Sequence, residues 1–162
     1  MKSEYDIHSI IKIHPYILGI LGEDYKNLHL KHEKVYDDRR RADFIFSNDR
    51  ISIVVEVKIG KIDYQTLKQL LHYLSKEEKE NPNKRLLGII VGHRIDDKRK
   101  LNDKIKRSGY EIQIKILGRD IPSEIKLCTN CRKINALWSS SCRYCGSTEF
   151  ISDPFLFTSN DK

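Results

Sequence analysis

At 162 residues, 39% apolar and 33% charged, the chain is long enough for one ordinary core plus a small appendage and too apolar for general disorder. Its net charge of +7 lies almost wholly before residue 121: residues 1–120 hold 25 basic against 19 acidic side chains, and residues 121–162 hold five against four. The larger part should therefore attract polyanions, with Arg39-Arg40-Arg41 and Lys98-Arg99-Lys100 as candidate phosphate contacts, although Lys-rich faces are more often plain solvated surface. No stretch approaches the roughly 18 apolar residues of a membrane span. The opening Met1 to Asp6 lacks the basic and apolar segments of a secretion signal, so a cytoplasmic protein with no membrane partner is expected.

In chain order, residues 4–21 place Ile7, Ile10, Ile11, Tyr16, Ile17, Leu18 and Leu21 at steps of three and four, interrupted by Pro15. This spacing predicts a helix that breaks or restarts near His14-Pro15. Three strands should follow, Leu28 to Tyr36, Ala42 to Phe46 and Ile51 to Ile59, with Ser47-Asn48-Asp49-Arg50 as the tight turn of an antiparallel meander. Asp63 can cap a helix to about Glu80, whose stripe is Leu67, Leu70, Leu71 and Leu74 and whose stop is Asn81-Pro82-Asn83. The run Leu86 to Val91 reads as a buried strand, residues 96–108 as a charged helix ending at Gly109, and Tyr110 to Leu117 as a last strand. The order α, β, β, β, α, β, α, β implies an α/β fold, a mixed α+β sheet with helices against it. Patterning stops near Gly118 to Ser123, which divides the chain into a core domain at 1–119, a small domain at 120–157 and a frayed polar tail at 158–162.

All four cysteines lie in the small domain, as Cys128-x2-Cys131, ten residues, then Cys142-x2-Cys145, with Gly146 free to take the positive φ of a knuckle turn. Two knuckles can bring four thiolates around one tetrahedral ion. Paired disulfides, a redox pair and an iron-sulfur cluster compete. Zn²⁺ is favoured because cytosolic thiols stay reduced and so short a segment cannot fold on apolar burial alone. Four sulfur ligands close the coordination shell, so this zinc ribbon should be structural, with Leu137, Trp138 and Phe150 as its small core.

Alternation along the third strand sends Ile51, Ile53, Val55, Val57 and Ile59 to one face and Ser52, Val54, Glu56 and Lys58 to the other. Asp43, across the four-residue turn, reaches the same region if it pairs beside Glu56, giving two carboxylates and an amine at a solvent-accessible sheet edge. Such a set suits Mg²⁺ or Mn²⁺, held by Asp43, Glu56 and the Val57 carbonyl against a phosphate, with Lys58 positioning water and offsetting charge. A bare Glu-x-Lys is more often an outward-facing pair on an ordinary strand. Here, however, Gln69 and Tyr73 lie four residues apart on the next helix, where they can face the same region. The six histidines show no ligand spacing, and His72 reads as an incidental neighbour of that helix face.

Together these motifs resemble the PD-(D/E)XK, restriction-endonuclease-like superfamily, and within it the nuclease domain of the NucS endonuclease family. The resemblance spans residues 4–117. It rests on Glu4-Tyr5-Asp6-Ile7, His14-Pro15, Asp43, Glu56-Val57-Lys58, Gln69 to Tyr73, and the apolar strand Leu87-Gly88-Ile89-Ile90-Val91. It implies a restriction-endonuclease-like core, here followed by a zinc ribbon, and metal-dependent cleavage of DNA; substrate preference does not carry over, and branched or mismatched DNA is the leading hypothesis. Asp43, Glu56 and Lys58 would form the site, with Gln69 and Tyr73 close by and Glu4 as a helper. A homodimer and a protein partner docked on the ribbon are further expectations. RNA stays open as a substrate, and the competing reading is a catalytically inactive nucleic-acid-binding or protein-docking module that keeps the nuclease fold.

Overall fold

The computed structural model describes residues 4–13, 15–18, 27–116, 125–131, 133–136 and 138–151. The chain divides into two compact units, one of Asn27–Gly118 and one of Met1–Lys26 with Arg119–Lys162. In the second, α1 (Glu4–Ile13) is followed by a 3₁₀ turn at Pro15–Leu18. The helix expected across residues 4–21 thus stops where proline removes a backbone donor. Its Ile7 and Ile11 are buried, as is Leu18 of the turn. Residues 19–21 and the tail at 158–162 lie outside the described residues.

The unit Asn27–Gly118 is built on five strands: β1 (His29–Val35), β2 (Arg41–Ser47), β3 (Ile51–Val57), β5 (Arg85–Gly92) and β7 (Glu111–Ile116). They lie in that order across one sheet. The first three form the expected antiparallel meander, while β5 and β7 join in parallel. At the β2–β3 turn the Asn48 side chain accepts the amides of Arg50 and Ile51 at 2.8 and 2.9 Å, an Asx turn that closes the hairpin. Parallel neighbours need crossovers, and these are α2 (Tyr64–Glu80) between β3 and β5 and α3 (Lys98–Ser108) between β5 and β7. Asp63 caps α2 by accepting Thr66 N–H at 3.0 Å, and Gly109 ends α3 in the left-handed region at φ 77°. A small parallel pair without a distinct sequence signal, β4 (Lys61–Ile62) and β6 (Arg94–Ile95), stands beside the main sheet.

Leu67, Leu70, Tyr73 and Leu74 of α2 pack with Ala42, Ile45, Val54, Ile90 and Leu101 as one buried core. Gly88 permits this approach, since a Cβ there would lie 2.9 Å from a Leu70 methyl and 3.0 Å from one of Leu74. The packing corrects one expectation: the Ser52, Val54 and Glu56 side of β3 is no solvent-accessible edge. β3 is the central strand, buried at every position from Ile51 to Val57, because the crossover places β5 on one flank and α2 over that face. Among the described residues no helix is long and apolar enough to cross a membrane.

Candidate functional site

Asp43 and Glu56 meet on adjacent strands. The β2–β3 register runs to Phe44↔Val55, and the next step brings Asp43 beside Glu56. There the Asp43 amide donates to Glu56 Oε1 at 3.4 Å, and Asp43 Oδ2 accepts the Val57 amide at 2.7 Å. Asp43 is half-buried, Glu56 is buried at 6% exposure and Lys58 is exposed. Lys58 follows the last residue of β3, and its amide donates to the Val91 carbonyl at 2.8 Å. On β1, Glu33 falls between the pairs His32↔Phe44 and Lys34↔Ala42, opposite Asp43, and holds a left-handed φ of 55°. Asp43 therefore sits where regular pairing gives way on both sides. Two hard oxygen donors at the end of a central strand suit a hard divalent cation such as Mg²⁺, which needs few protein ligands.

Tyr73 of α2 lies within electrostatic reach of this pair. Burial first, and then the Glu56 carboxylate, push its phenol above the usual range, with Asp43 adding to the effect and the Arg41 amide opposing it. The phenol is thus held protonated beside the carboxylates. Lys58 acts electrostatically on Asp63, whose carboxyl is held low mainly by the Thr66 amide. The N-terminus of α2 and the end of β3 therefore share one electrostatic neighbourhood.

Gln69 is exposed and lines an open groove of about 780 Å³ with Arg40, Gln65, Lys68, His72 and Tyr73. Asp43, Glu56 and Lys58 do not line this groove, but Tyr73, which does, feels the charges of Asp43 and Glu56. Gln65 and Lys68 were missed in the sequence, although the series Gln65, Lys68, Gln69, His72 has the spacing of one helix face. His72 is tied to Asp38 of the β1–β2 turn at 2.6 Å, a structural role that accounts for it. Of the three arginines, Arg39 occupies a left-handed turn position (φ 66°), Arg40 borders the groove and Arg41 lies 3.5 Å from Glu33. Glu4 lies in α1, but its side chain is outside the described residues.

A second polar cluster, unmarked by any motif, supports the site from behind. Glu77 is 1% exposed and accepts Lys34 Nζ, Tyr36 Oη at 2.8 Å, Ser52 Oγ at 2.9 Å and Asn81 Nδ2 at 3.1 Å. Tyr36 stacks on Tyr73 with centroids 5.6 Å apart, so this cluster backs the ring that faces Glu56.

In the cysteine segment, β8 (Ile125–Cys128) lies between β10 (Phe150–Ile151) and β9 (Ile134–Ala136), antiparallel to both. The sulfurs of Cys128, Cys131, Cys142 and Cys145 all lie within 4.8 Å of one another, with two pairs at 3.5 and 3.6 Å. A tetrahedron of sulfurs at about 2.3 Å from Zn²⁺ has edges of about 3.8 Å, so the set fits that ion. Gly146 takes φ 77° and donates its amide to the Cys142 carbonyl at 2.8 Å, closing the second knuckle as its spacing predicts. Burial works against ionising Cys142, yet the Tyr144 and Cys145 amides and the Asn135 side chain bring its thiol down to about 6. Asn135, another residue missed in the sequence, is buried, donates to Cys142 Sγ at 3.3 Å and accepts the Arg143 amide at 3.0 Å. Phe150 is partly buried under Lys126 Nζ, 3.9 Å from its ring. Trp138 corrects the expected core: it is 76% exposed, while among the described residues Leu127, Cys128, Asn135 and Cys142 are the ones buried in this segment. The Leu137 side chain lies outside the described residues.

Neither protein-family models nor curated proteins match the chain. Solved structures do. An EndoMS–dsDNA2 complex aligns with TM-score 0.57 and 18% identity over 74% of this chain and 46% of that one. A repair endonuclease from Pyrococcus abyssi aligns with TM-score 0.55 and 19% identity over 73% and 48%, and EndoMS in apo form with 0.52 and 18% over 75% and 48%. The chain has the nuclease fold of these proteins and spans just under half of their length.

Proposed function

We propose that this chain is a Mg²⁺- or Mn²⁺-dependent endonuclease that hydrolyses phosphodiester bonds of DNA. The observation that carries this reading is the meeting of Asp43 and Glu56 at the end of β3, with Lys58 exposed just beyond it, on a fold shared with repair endonucleases. Asp43, Glu56 and the Val57 carbonyl would hold the ion, which when bound supplies charge to polarise a phosphoryl oxygen and acidify water. Lys58, with its amine in solvent, would orient the attacking water and offset charge on the phosphate. Tyr73 would hold a protonated phenol near Glu56, and Gln69 and Arg40 would contact the substrate from the groove that Tyr73 also lines. Glu4 is assigned a helper's part, and the zinc ribbon a structural one that also helps to grip DNA.

The test is single-turnover cleavage of single-stranded, duplex, mismatched and branched DNA, with RNA alongside. Asp43→Ala and Glu56→Ala should nearly abolish cleavage and weaken metal binding. Lys58→Ala should spare metal binding and slow the chemical step by roughly 10²- to 10⁴-fold, typical of losing a positioned proton-transfer or charge-stabilising group. Wild-type protein inert with both metals on every substrate would remove the proposal.

A further inference from the structure

The charge excess of this chain is concentrated on one helix. In α3, Lys98, Arg99, Lys100, Lys104, Lys106 and Arg107 stand against Asp103 alone, with Asp97 at the cap engaged by the Lys100 amide at 3.0 Å. Elsewhere Lys34, Arg41, Lys61, Lys76 and Arg85 each lie within ion-pair distance of a carboxylate. Among the described residues none of the six cations of α3 does so, and their charge remains available to an outside polyanion. Leu101 and Ile105 pack into the core and fix which side of α3 faces out. That side carries Arg99, Lys100, Lys104 and Arg107 around a shallow groove of about 340 Å³, with Asp97 and Asp103.

The stripe is joined to α2 through Tyr64. Its ring is 40% exposed, with Lys104 Nζ 4.1 Å and Lys68 Nζ 5.8 Å from its centroid. Lys68 also lines the larger groove with Arg40, Gln65 and Tyr73, and Tyr73 lies within electrostatic reach of the two carboxylates. Lys104, Tyr64 and Lys68 thus link the groove on α3 to the larger groove along α2.

From this juxtaposition we infer that the outer face of α3, joined through Tyr64 and Lys68 to the groove beside Tyr73, is a binding surface for the phosphate backbone of duplex DNA. Lys100, Lys104 and Arg107 sit at i, i+4 and i+7, which spreads their heads over roughly 10 Å of helix axis. That is about three base steps of a duplex at 3.4 Å. The contacts are to phosphate, so the surface positions DNA without reading its sequence. The inference rests on the proposed function only for the choice of DNA as the polyanion.

The experiment is binding of the zinc-loaded full chain to a labelled duplex in Mg²⁺-free buffer, read by fluorescence anisotropy across salt concentrations. Each phosphate contact contributes about 0.9 to the slope of log K against log salt. Combined Lys100→Gln, Lys104→Gln and Arg107→Gln should therefore reduce that slope by about 2 to 3 and weaken binding at least tenfold at low salt. Lys100→Arg with Lys104→Arg keeps the charge and should keep the slope, and Lys79→Gln with Lys84→Gln should leave it unaltered. A slope unchanged in the triple variant, an equal loss in the arginine or Lys79/Lys84 variants, or a wild-type chain that binds no duplex would overturn the inference. Cleavage with an unchanged slope would defeat this surface and spare the nuclease reading. A lost slope in a chain that never cleaves would do the reverse.

Discussion

Gly92 limits what can change near Lys58. A Cβ at this position would fall 2.5 Å from Ile62 Cγ1 and 3.1 Å from the Lys58 carbonyl oxygen. The first atom is no freely moving side-chain tip, and the second is backbone. Gly92→Ala should push the β4 strand or the Lys58 backbone away from β5 at a cost of about 1–3 kcal/mol, as overpacking does elsewhere. A thermal midpoint lowered by several degrees is the expected result, with cleavage slowed beyond what the lost stability explains because the amine is displaced. An unchanged midpoint would mean that the loop yields without cost. Glu56 carries a related lesson, since its carboxylate is buried under α2. Glu56→Ala opens a hole where polar atoms had partners, so Glu56→Gln, which keeps the volume, is the cleaner test of ligand loss.

At the scale of elements, the β1–β2 hairpin is fastened to α2 by Glu77. Burial opposes its ionisation, but hydrogen bonds from Lys34, Tyr36 and Ser52 together with the Lys34 charge hold the carboxyl below its ordinary value of 4.5. Its stabilising contribution is therefore fully present above about pH 4.5 and is lost as pH falls through the depressed value. Lys34 is held above its ordinary 10.5, despite burial, by Glu77 and Glu80, so its contribution lasts through neutral pH and is lost only as pH rises past 10.5. Glu77→Ala should cost about 3 kcal/mol at neutral pH, because it leaves Lys34 with Glu80 alone and takes the acceptor from three hydroxyl or amide donors. Urea unfolding of wild type and variant should differ most between pH 5 and 9 and converge in acid. A gap that stays constant down to about pH 2 would show that the carboxylate charge contributes nothing to the link.

At the scale of the whole molecule, every cysteine lies between Cys128 and Cys145, while the sheet unit Asn27–Gly118 has a core of its own. One zinc per chain is expected by elemental analysis, and chelation should release amide protection in β8 and β9 while leaving β3, β5 and α2 protected. The reason is that a segment this short depends on the metal for its folding free energy. Hydrogen exchange resolves the two regions. Protection that survives in β8 and β9 without metal would assign the segment's stability to another source.

Apolar alternation, the Asp63 cap, Asn81 and Gly109 were enough to place α2, α3 and the five strands of the main sheet, because those signals act within a few residues. The two Cys-x2-Cys pairs pointed to four converging thiols for the same reason, as knuckle spacing is local chemistry. Asp43 beside Glu56 could also be anticipated, since a four-residue turn leaves little freedom in the register of the strands it joins. Other features had no such signature. Whether the Glu56 face met water or a helix depended on where the β3–β5 crossover laid α2, and Glu77 gained its four partners only when residues up to 43 positions away were packed together. Trp138 looked like core by composition and is exposed, the interior of its segment going to Leu127, Cys128, Asn135 and Cys142. The path from Tyr73 through Lys68 and Tyr64 to Lys104 likewise joins two helices that the sequence separates by two strands. Local hydrogen bonding and steric preference are written residue by residue, whereas burial and long-range electrostatics belong to neighbours that only the folded chain selects.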